Sequence, residues 1–404
     1  MKILAVSYYL PPYLYAQSIV MGRFFHYLAK DNRFQIYMVT ADEKSSVLRT
    51  DIYADIYDLF KETERVPFRY NRYVDKIEFT LLPLIYATPD IFKHWNKRVL
   101  KRIMDKWSKL KCDLIITSST PQSSHLLGLH LKKYYNCRWV AYFSDPWADN
   151  PLYQYKNLTK IANDRLEGEV FASADKLVFT SQETKRLYAN KYPGEQNKFF
   201  VLEHAYDPDL LQAVPDMGAV SKHLTLRYIG NLSVLRSPEY FFKAIRLMLE
   251  ENPGLSDIFR FEIIGGHRTT RALIAKHGLS GVVILKPLVD YLESLRLMRQ
   301  ADVLVVMDAF FKENLFLPSK LVEYIGVKKP ILGITPPGAS MRVIKEAGGW
   351  TVEPNKTEKI KQILLEIVGK WKDGILGAYS PPQEILERYK ISNKIEEFKK
   401  ILLN

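Results

Sequence analysis

At 404 residues, 47% hydrophobic and 25% charged, the chain has a globular composition and exceeds one comfortable core, so two domains of roughly 150 to 200 residues are expected. The net charge of +13 invites an anionic partner, but no nucleic-acid recognition motif accompanies it, so the expectation is no nucleic acid. Cys112 and Cys137 are too few for a disulfide framework and lack metal spacing, and no stretch reaches the roughly 18 apolar residues of a membrane span; the expected location is cytoplasmic.

Lys2 to Tyr8 is an unbroken apolar run, the pattern of a central parallel strand, and it ends at Pro11-Pro12. It reads as a first strand and not as a signal peptide. A polar turn at Gln17-Ser18 leads into a helical period through Ile19, Phe24 and Leu28, and Phe34 to Thr40 is the next strand. Ligands of such open sheets bind beyond the carboxyl ends of the strands, which places Tyr8 to Ser18 at the border of a cleft. Residues 45–92 show no clear period and are expected to form a loop-rich insertion with short helices. From Lys93 to Lys111, Trp95, Val99, Ile103, Trp107 and Leu110 fall at spacings of four and three, an apolar helical stripe. The other positions hold Lys93, Lys97, Arg98, Lys101, Arg102, Lys106, Lys109 and Lys111 against the single acid Asp105. Such a face is either simply solvated or set against an anionic membrane or an acceptor diphosphate.

Asp113 to Thr117 is another buried strand, followed by the hydroxyl-rich run from Ser118 through Ser119, Thr120 and Gln122 to Ser124. A helix beginning near His125 needs one of these groups as a cap, and the surplus fits either hydrogen bonding to a sugar or a polar loop without a role. The strand Trp139 to Phe143 runs directly into Ser144-Asp145-Pro146-Trp147, where a carboxylate meets an aromatic ring at a strand end. That composition suits carbohydrate contact or general-base work, and equally an Asx-Pro turn. Helices are expected at Leu158–Ala172 and Gln182–Lys191, strands at Lys176–Thr180 and Phe199–Leu202, and a linker at 208–222.

A second series begins with the strand Leu224–Ile229, closed by Gly230-Asn231. It continues with a helix at Glu239–Glu251, a strand at Phe259–Ile264, a helix at Ala272–His277, a strand at Val282–Leu285, a helix at Leu292–Arg299 and a strand at Val303–Met307. These define two doubly wound α/β domains, 1–207 and 223–382, with a final amphipathic helix at Gln383–Leu403 that packs on one or the other. Leu317 to Leu332 then reads as a Pro318-Ser319-Lys320 turn with Pro at the first helical position, a short helix holding Glu323, a closing Gly326 and a strand after Pro330. Its N-terminus, with Lys320 beside it, suits a phosphate, and Glu323 on the same face suits a ribose; an ordinary capped helix with a solvent ion pair has the same composition.

The blocks MKILAVSYYLPP, CDLIITSSTPQSS, VAYFSDPWAD, ADKLVFTSQETK, FVLEHAYDPD, LRYIGNL, ADVLVVM and PSKLVEYIGVKKPIL occur in one order. Together they resemble the GT-B glycosyltransferases, and within them the retaining group called glycosyltransferase family 4. The resemblance implies a GT-B architecture of two Rossmann-like domains facing a central cleft, and a hexosyltransferase-type enzyme of class EC 2.4. A nucleotide sugar would be bound mainly by the C-terminal domain and a glycan or lipid-linked acceptor by the N-terminal one, with no metal and no cofactor beyond the donor. Carried over, Glu323 matches the ribose contact, Pro318, Ser319 and Lys320 the diphosphate, Gly230, Asn231 and Arg236 the loop at which a cation meets it, and Leu288 and Val289 the base. Asp145, Arg236 and Lys320 are the catalytic candidates. Gln17, Ser18, Ser119, Thr120, Gln122, Asp145 and Trp147 are the acceptor candidates.

The departures are specific. Leu315 stands where many relatives carry a second glutamate, the first loop Tyr13–Ser18 is not glycine-rich, His204-Ala205 replaces an asparagine-glycine, and hydroxyls replace a histidine after Thr117. A non-catalytic nucleotide-sugar or glycan-binding scaffold is the alternative these departures leave open.

Overall fold

The computed structural model of the chain describes residues 1–42, 49–68, 88–153, 155, 157–214 and 222–404. They form two compact units, Met1–Glu203 with Lys394–Asn404, and His204–Asn393. The chain therefore changes unit at 203/204, ahead of the boundary placed at 207. Of the stretch read as a linker, Pro208–Gln212 is helical, with Pro208 at its first turn and the Asp207 side chain accepting from the Asp209 N–H, while 215–221 lie outside the described residues.

In the first unit seven parallel strands lie in the order β3-β2-β1-β4-β5-β6-β7. They are β1 (Lys2–Ser7), β2 (Gln35–Ala41), β3 (Glu62–Val66), β4 (Leu114–Ser118), β5 (Arg138–Phe143), β6 (Lys176–Phe179) and β7 (Phe199–Val201). Helices α1 (Ala16–Ala29), α2 (Ile56–Leu59), α3 (Lys93–Trp107), α4 (Ser123–Tyr135), α5 (Asn157–Ser173) and α6 (Gln182–Lys191) connect them. The inner strands are apolar on both faces because helices cover both; Ile3 to Val6, Ile115, Ile116 and Trp139 to Phe143 are all at most 1% exposed.

Strand β3 corrects the expected loop-rich insertion, the rest of which falls largely on 43–48 and 69–87, outside the described residues. Its sequence ETERV gives no apolar signal because it is the sheet edge and its carboxylates face α3. Lys106 reaches Glu64 at 2.7 Å, and the Trp107 indole donates to Glu62 at 3.0 Å. The apolar stripe of α3 is buried as expected at Trp95, Val99, Ile103 and Trp107.

The second unit has six parallel strands in the order β10-β9-β8-β11-β12-β13. They are β8 (Leu224–Asn231), β9 (Phe259–Gly266), β10 (Val283–Lys286), β11 (Val303–Met307), β12 (Ile331–Ile334) and β13 (Trp350–Val352). The helices are α7 (Pro208–Gln212), α8 (Glu239–Glu251), α9 (Thr270–Lys276), α10 (Tyr291–Arg299), α11 (Ser319–Gly326), α12 (Ala339–Glu346), α13 (Thr357–Lys372) and α14 (Gln383–Tyr389), followed by α15 (Ile391–Leu403), which belongs to the first unit from Lys394 on. In both sheets the order reverses beside the first strand, at β1/β4 and at β8/β11, and the carboxyl ends there are the places where such sheets bind ligands.

The single helix expected at Gln383–Leu403 is two. Lys390 is extended (φ −69, ψ 136), because Tyr206 donates its N–H to the Tyr389 carbonyl and accepts from the Ile391 N–H, taking the backbone groups that would have continued the helix. The remainder, α15, carries the chain back to the first unit. There Phe398 meets Phe24 at 5.7 Å, Lys399 pairs with Asp31 at 2.9 Å, and the buried Lys394 ammonium lies 3.8 Å from the buried Glu203 carboxylate. Among the described residues no helix is long and apolar enough to cross a membrane.

Candidate functional site

In the second unit the constellation gathers at the ends of β8 and β11. Gly230 and Asn231, expected beyond the strand, are its last residues, and Gly230 has φ +142, a conformation open to glycine. The Lys320 stem runs past it: a Cβ on Gly230 would lie 3.7 Å from Lys320 Cε. Burial holds the Lys320 ammonium below its usual range, opposed by the charge of Glu323 one turn on. Pro318 stands at the N-cap rather than the first helical position. No side chain caps α11, so none competes for its leading N–H groups. Gly326 ends the helix through close packing and not through a left-handed turn, since a Cβ there would sit 2.6 Å from the Tyr206 ring; the left-handed residue is Lys328, at φ +58.

Glu323 is buried, and its Oε1 accepts from the Tyr291 hydroxyl at 2.6 Å. The Arg236 guanidinium bonds the Tyr228 phenol, whose hydroxyl in turn donates to the Asn231 carbonyl at 3.0 Å. Among the described residues the buried Arg236 Nε has no hydrogen-bond partner. Its charge also reaches Asp308, a residue the sequence reading passed over. Asp308 follows β11, is buried, and accepts from Asn314 Nδ2 and Thr335 Oγ1, each at 2.8 Å. Burial raises its pKa, while Arg236 and neighbouring hydroxyls act in the opposite direction. The available signal was a lone acid directly after the apolar run Val303–Met307. Leu288 is exposed and Val289 half-buried; Leu288 Cδ1 would lie 3.2 Å from a Cβ on Gly265, which puts it at the ends of β8 and β9. Leu315, where a second carboxylate was sought, is buried.

In the first unit the acceptor candidates divide. Gln17 is buried and its amide ties strand ends together: Nε2 donates to the Ser119 carbonyl at 2.7 Å, and Oε1 accepts from the Ser144 hydroxyl. Trp147 corrects its expected role. It is fully buried in the core, its indole N–H donates to Asn163 at 2.8 Å, and no face of the ring is presented to a sugar. Among the described residues Ser18 Oγ, Ser119 Oγ and Gln122 Oε1 are buried without partners, as is Tyr142 OH, while Thr120 is half-buried. Asp145 follows β5, half-buried. Burial pushes its pKa up to about 6. Tyr15, Tyr142 and Tyr153 all feel its charge.

Four further acids have assigned work. Asp90 receives the N–H groups of Phe92 and Ser123, each at 2.9 Å, and thereby caps α4 from a distance. Asp149, Asp164 and Glu167 cluster within the 4.8 Å a cation would need, but the Lys191 ammonium already sits among them, 2.6 Å from Asp164 and 2.6 Å from Glu167. His125, next to the hydroxyl run, is a core residue bonded to Thr117 at 2.9 Å, its pKa pushed down to about 3 by burial.

Two Rossmann-like α/β units in this strand order define the GT-B fold. The family profile described as Glycosyltransferase Family 4 matches residues 50–210. A D-inositol 3-phosphate glycosyltransferase of Streptomyces avermitilis is 22% identical over 255 residues, 56% of this chain and 54% of the relative. One of Acidothermus cellulolyticus is 27% identical over 135 residues, 30% of each chain. The chain thus spans about half or less of the length of these curated relatives. Among solved structures, Anabaena Alr3699/HepE, determined with UDP and with UDP-glucose, aligns over 100% of this chain and 99% of its own at TM-score 0.68 and 13% identity. The profile match, over 50–210, and the structural likeness both point to GT-B glycosyltransferases of family 4 type as the proteins this chain is similar to.

Proposed function

We propose that the chain transfers a sugar from a nucleoside diphosphate sugar to a hydroxyl of a glycan or lipid-linked acceptor during cell-surface polysaccharide assembly, with retention at the anomeric carbon. The observation that carries this reading is the convergence of Arg236 and Lys320 on the end of β8, beside an uncapped helix N-terminus. Those groups form a cradle for a diphosphate, and Glu323 and the Leu288-Val289 segment extend it toward a ribose and a base. The UDP complexes of the Anabaena protein favour a uridine donor, with GDP the second candidate.

In the step itself the acceptor oxygen forms a bond to the anomeric carbon on the same face from which the diphosphate departs, as the bond from that carbon to the diphosphate breaks, so the configuration is retained. The electron pair leaves with the nucleoside diphosphate, and the acceptor proton passes to Asp145. Arg236, Lys320 and the α11 N-terminus stabilise the charge that grows on the leaving oxygen, the work a metal ion does in other transferases. The buried Leu315 motivates a second reading, a homologue that binds a nucleotide sugar without turning it over. A panel of UDP and GDP sugars, assayed for nucleoside diphosphate release with and without EDTA, separates them. Transfer predicts release that survives chelation, whereas binding without release supports the second reading.

The exposed Lys97, Lys101, Arg102, Lys109 and Lys111 on and after α3 suit peripheral contact with the anionic cytoplasmic face of a membrane.

A further inference from the structure

The two candidate sites differ in charge, and the difference bears on the acceptor. Asp145 lies at the carboxyl end of β5 with burial as the one influence acting on it. No lysine, arginine or histidine among the described residues is close enough to change it. Tyr15 and Tyr153 lie within electrostatic range of it, and each is one of a pair of rings. Tyr9 and Tyr15 have ring centroids 4.5 Å apart with planes 30° from parallel, and Tyr153 and Tyr155 lie 5.7 Å apart. Tyr153 is within electrostatic range of Asp145 and Tyr15, and Tyr9 of both Tyr15 and Tyr153, so the two ring pairs border one place. Tyr15 is 49% and Tyr153 50% exposed, which leaves ring faces open to a ligand. Tyr142 also feels the Asp145 charge, and among the described residues its buried hydroxyl and that of Ser18 have no partner. The second nearby carboxylate, Asp90, adds negative charge and is itself spent on the α4 N-terminus.

An uncompensated carboxylate walled by phenols repels a phosphate or a uronate. It suits a polyhydroxylated ring, whose C–H face packs on an aromatic surface while its hydroxyls meet oxygen donors and acceptors. We propose that Asp145 with Tyr9, Tyr15, Tyr153 and Tyr155 forms an acceptor subsite selective for a sugar ring bearing no anionic group. This rests on the transferase reading above, and it narrows the acceptor class. The curated relatives are named for a phosphorylated acceptor, so the subsite implies a different substrate from theirs.

The test is ligand-observed saturation-transfer NMR on the full chain with saturating UDP. The probes are methyl glycosides of glucose, galactose, mannose and N-acetylglucosamine, their 6-phosphates, and glucuronate. At least one neutral glycoside should bind, at least tenfold more tightly than its 6-phosphate. Tyr15→Ala and Tyr153→Ala should weaken it at least tenfold, Tyr15→Phe should retain most of the binding, and Asp145→Asn should narrow the gap between neutral and phosphorylated ligands. Equal or tighter binding of the anionic sugars, unchanged affinity in both alanine variants, or no binding by any neutral glycoside overturns the proposal. UDP-induced thermal stabilisation, read on the same samples, reports the donor side by itself; UDP binding alongside any of those outcomes sinks the subsite and leaves the transferase reading standing.

Discussion

The same sheet architecture, used twice, ends in two chemically opposed places. At the β8/β11 ends cationic groups stand beside the buried acids Asp308 and Glu323: Arg236, Lys320 drawn along Gly230, and a helix N-terminus. At the β1/β4/β5 ends the groups are acidic and phenolic, and among the described residues Asp145 has no cationic partner. Topology thus decides where a ligand sits, and the few side chains at the strand ends decide its sign. The first unit holds a contrast of its own. Asp149, Asp164 and Glu167 are paired with Lys191 and Lys160, whereas no described lysine, arginine or histidine pairs with Asp145.

The largest effect that would break this comparison is at Asp145. If it takes the acceptor proton, Asp145→Asn should lower kcat by about 10²- to 10⁴-fold, the usual range for a general base. In the parent enzyme, kcat/KM should fall as pH drops through about 6, where the base becomes protonated, and the variant should lose that limb. Stability should move the other way. A carboxyl whose folded pKa is raised binds more protons in the native state, so its contribution is full near pH 4 and is lost as pH rises through about 6. Asp145→Asn should therefore raise Tm at pH 7 and leave it nearly unchanged at pH 4. An active Asp145→Asn enzyme would move this residue to a structural role.

Next come Arg236→Ala and Lys320→Ala, each expected to cut turnover by about 10²-fold by removing one cation from the leaving diphosphate, with Tm within a few degrees of the parent. Lys191→Ala should leave activity per folded molecule intact but destabilise the protein by about 3–5 kcal/mol, because Glu167 is then a buried charge beside two other acids. Denaturant unfolding measures this, and an unchanged midpoint would show that the cluster is solvated. The smallest effect belongs to α3. Replacing Lys97 and Lys101 by Glu should weaken sedimentation with anionic liposomes by about 1 kcal/mol per charge removed, and failure of the parent to bind either anionic or neutral vesicles would leave that face simply solvated.

Much of this was legible in the chain. The apolar runs of β1, β4, β5 and β11 announced a buried parallel sheet, and the Pro318–Glu323 stretch announced the short helix whose start lies beside Gly230 at the end of β8. What escaped depended on contacts remote in sequence. Strand β3 is polar because its carboxylates serve Lys106 and Trp107. The break at Lys390 exists because Tyr206, nearly two hundred residues earlier, takes the backbone bonds. Trp147 looked like a sugar-stacking ring because it adjoins Asp145, and local sequence does not reveal that its indole turns inward to Asn163. The rings that do border Asp145 come from two loops, around Tyr15 and Tyr153, joined only by the fold. Asp308 carried a signal, an acid closing a central strand, which gained meaning once the Arg236 charge was seen to reach it.

The central claim is that the second unit holds a nucleoside diphosphate through Arg236 and Lys320. Isothermal titration of UDP and GDP into the parent chain and into Arg236→Ala and Lys320→Ala tests it most directly. Saturable binding of one nucleotide, weakened at least tenfold in each variant whose circular dichroism spectrum matches the parent, is the result predicted. Binding of neither nucleotide, or affinity unchanged in both variants, would contradict the account.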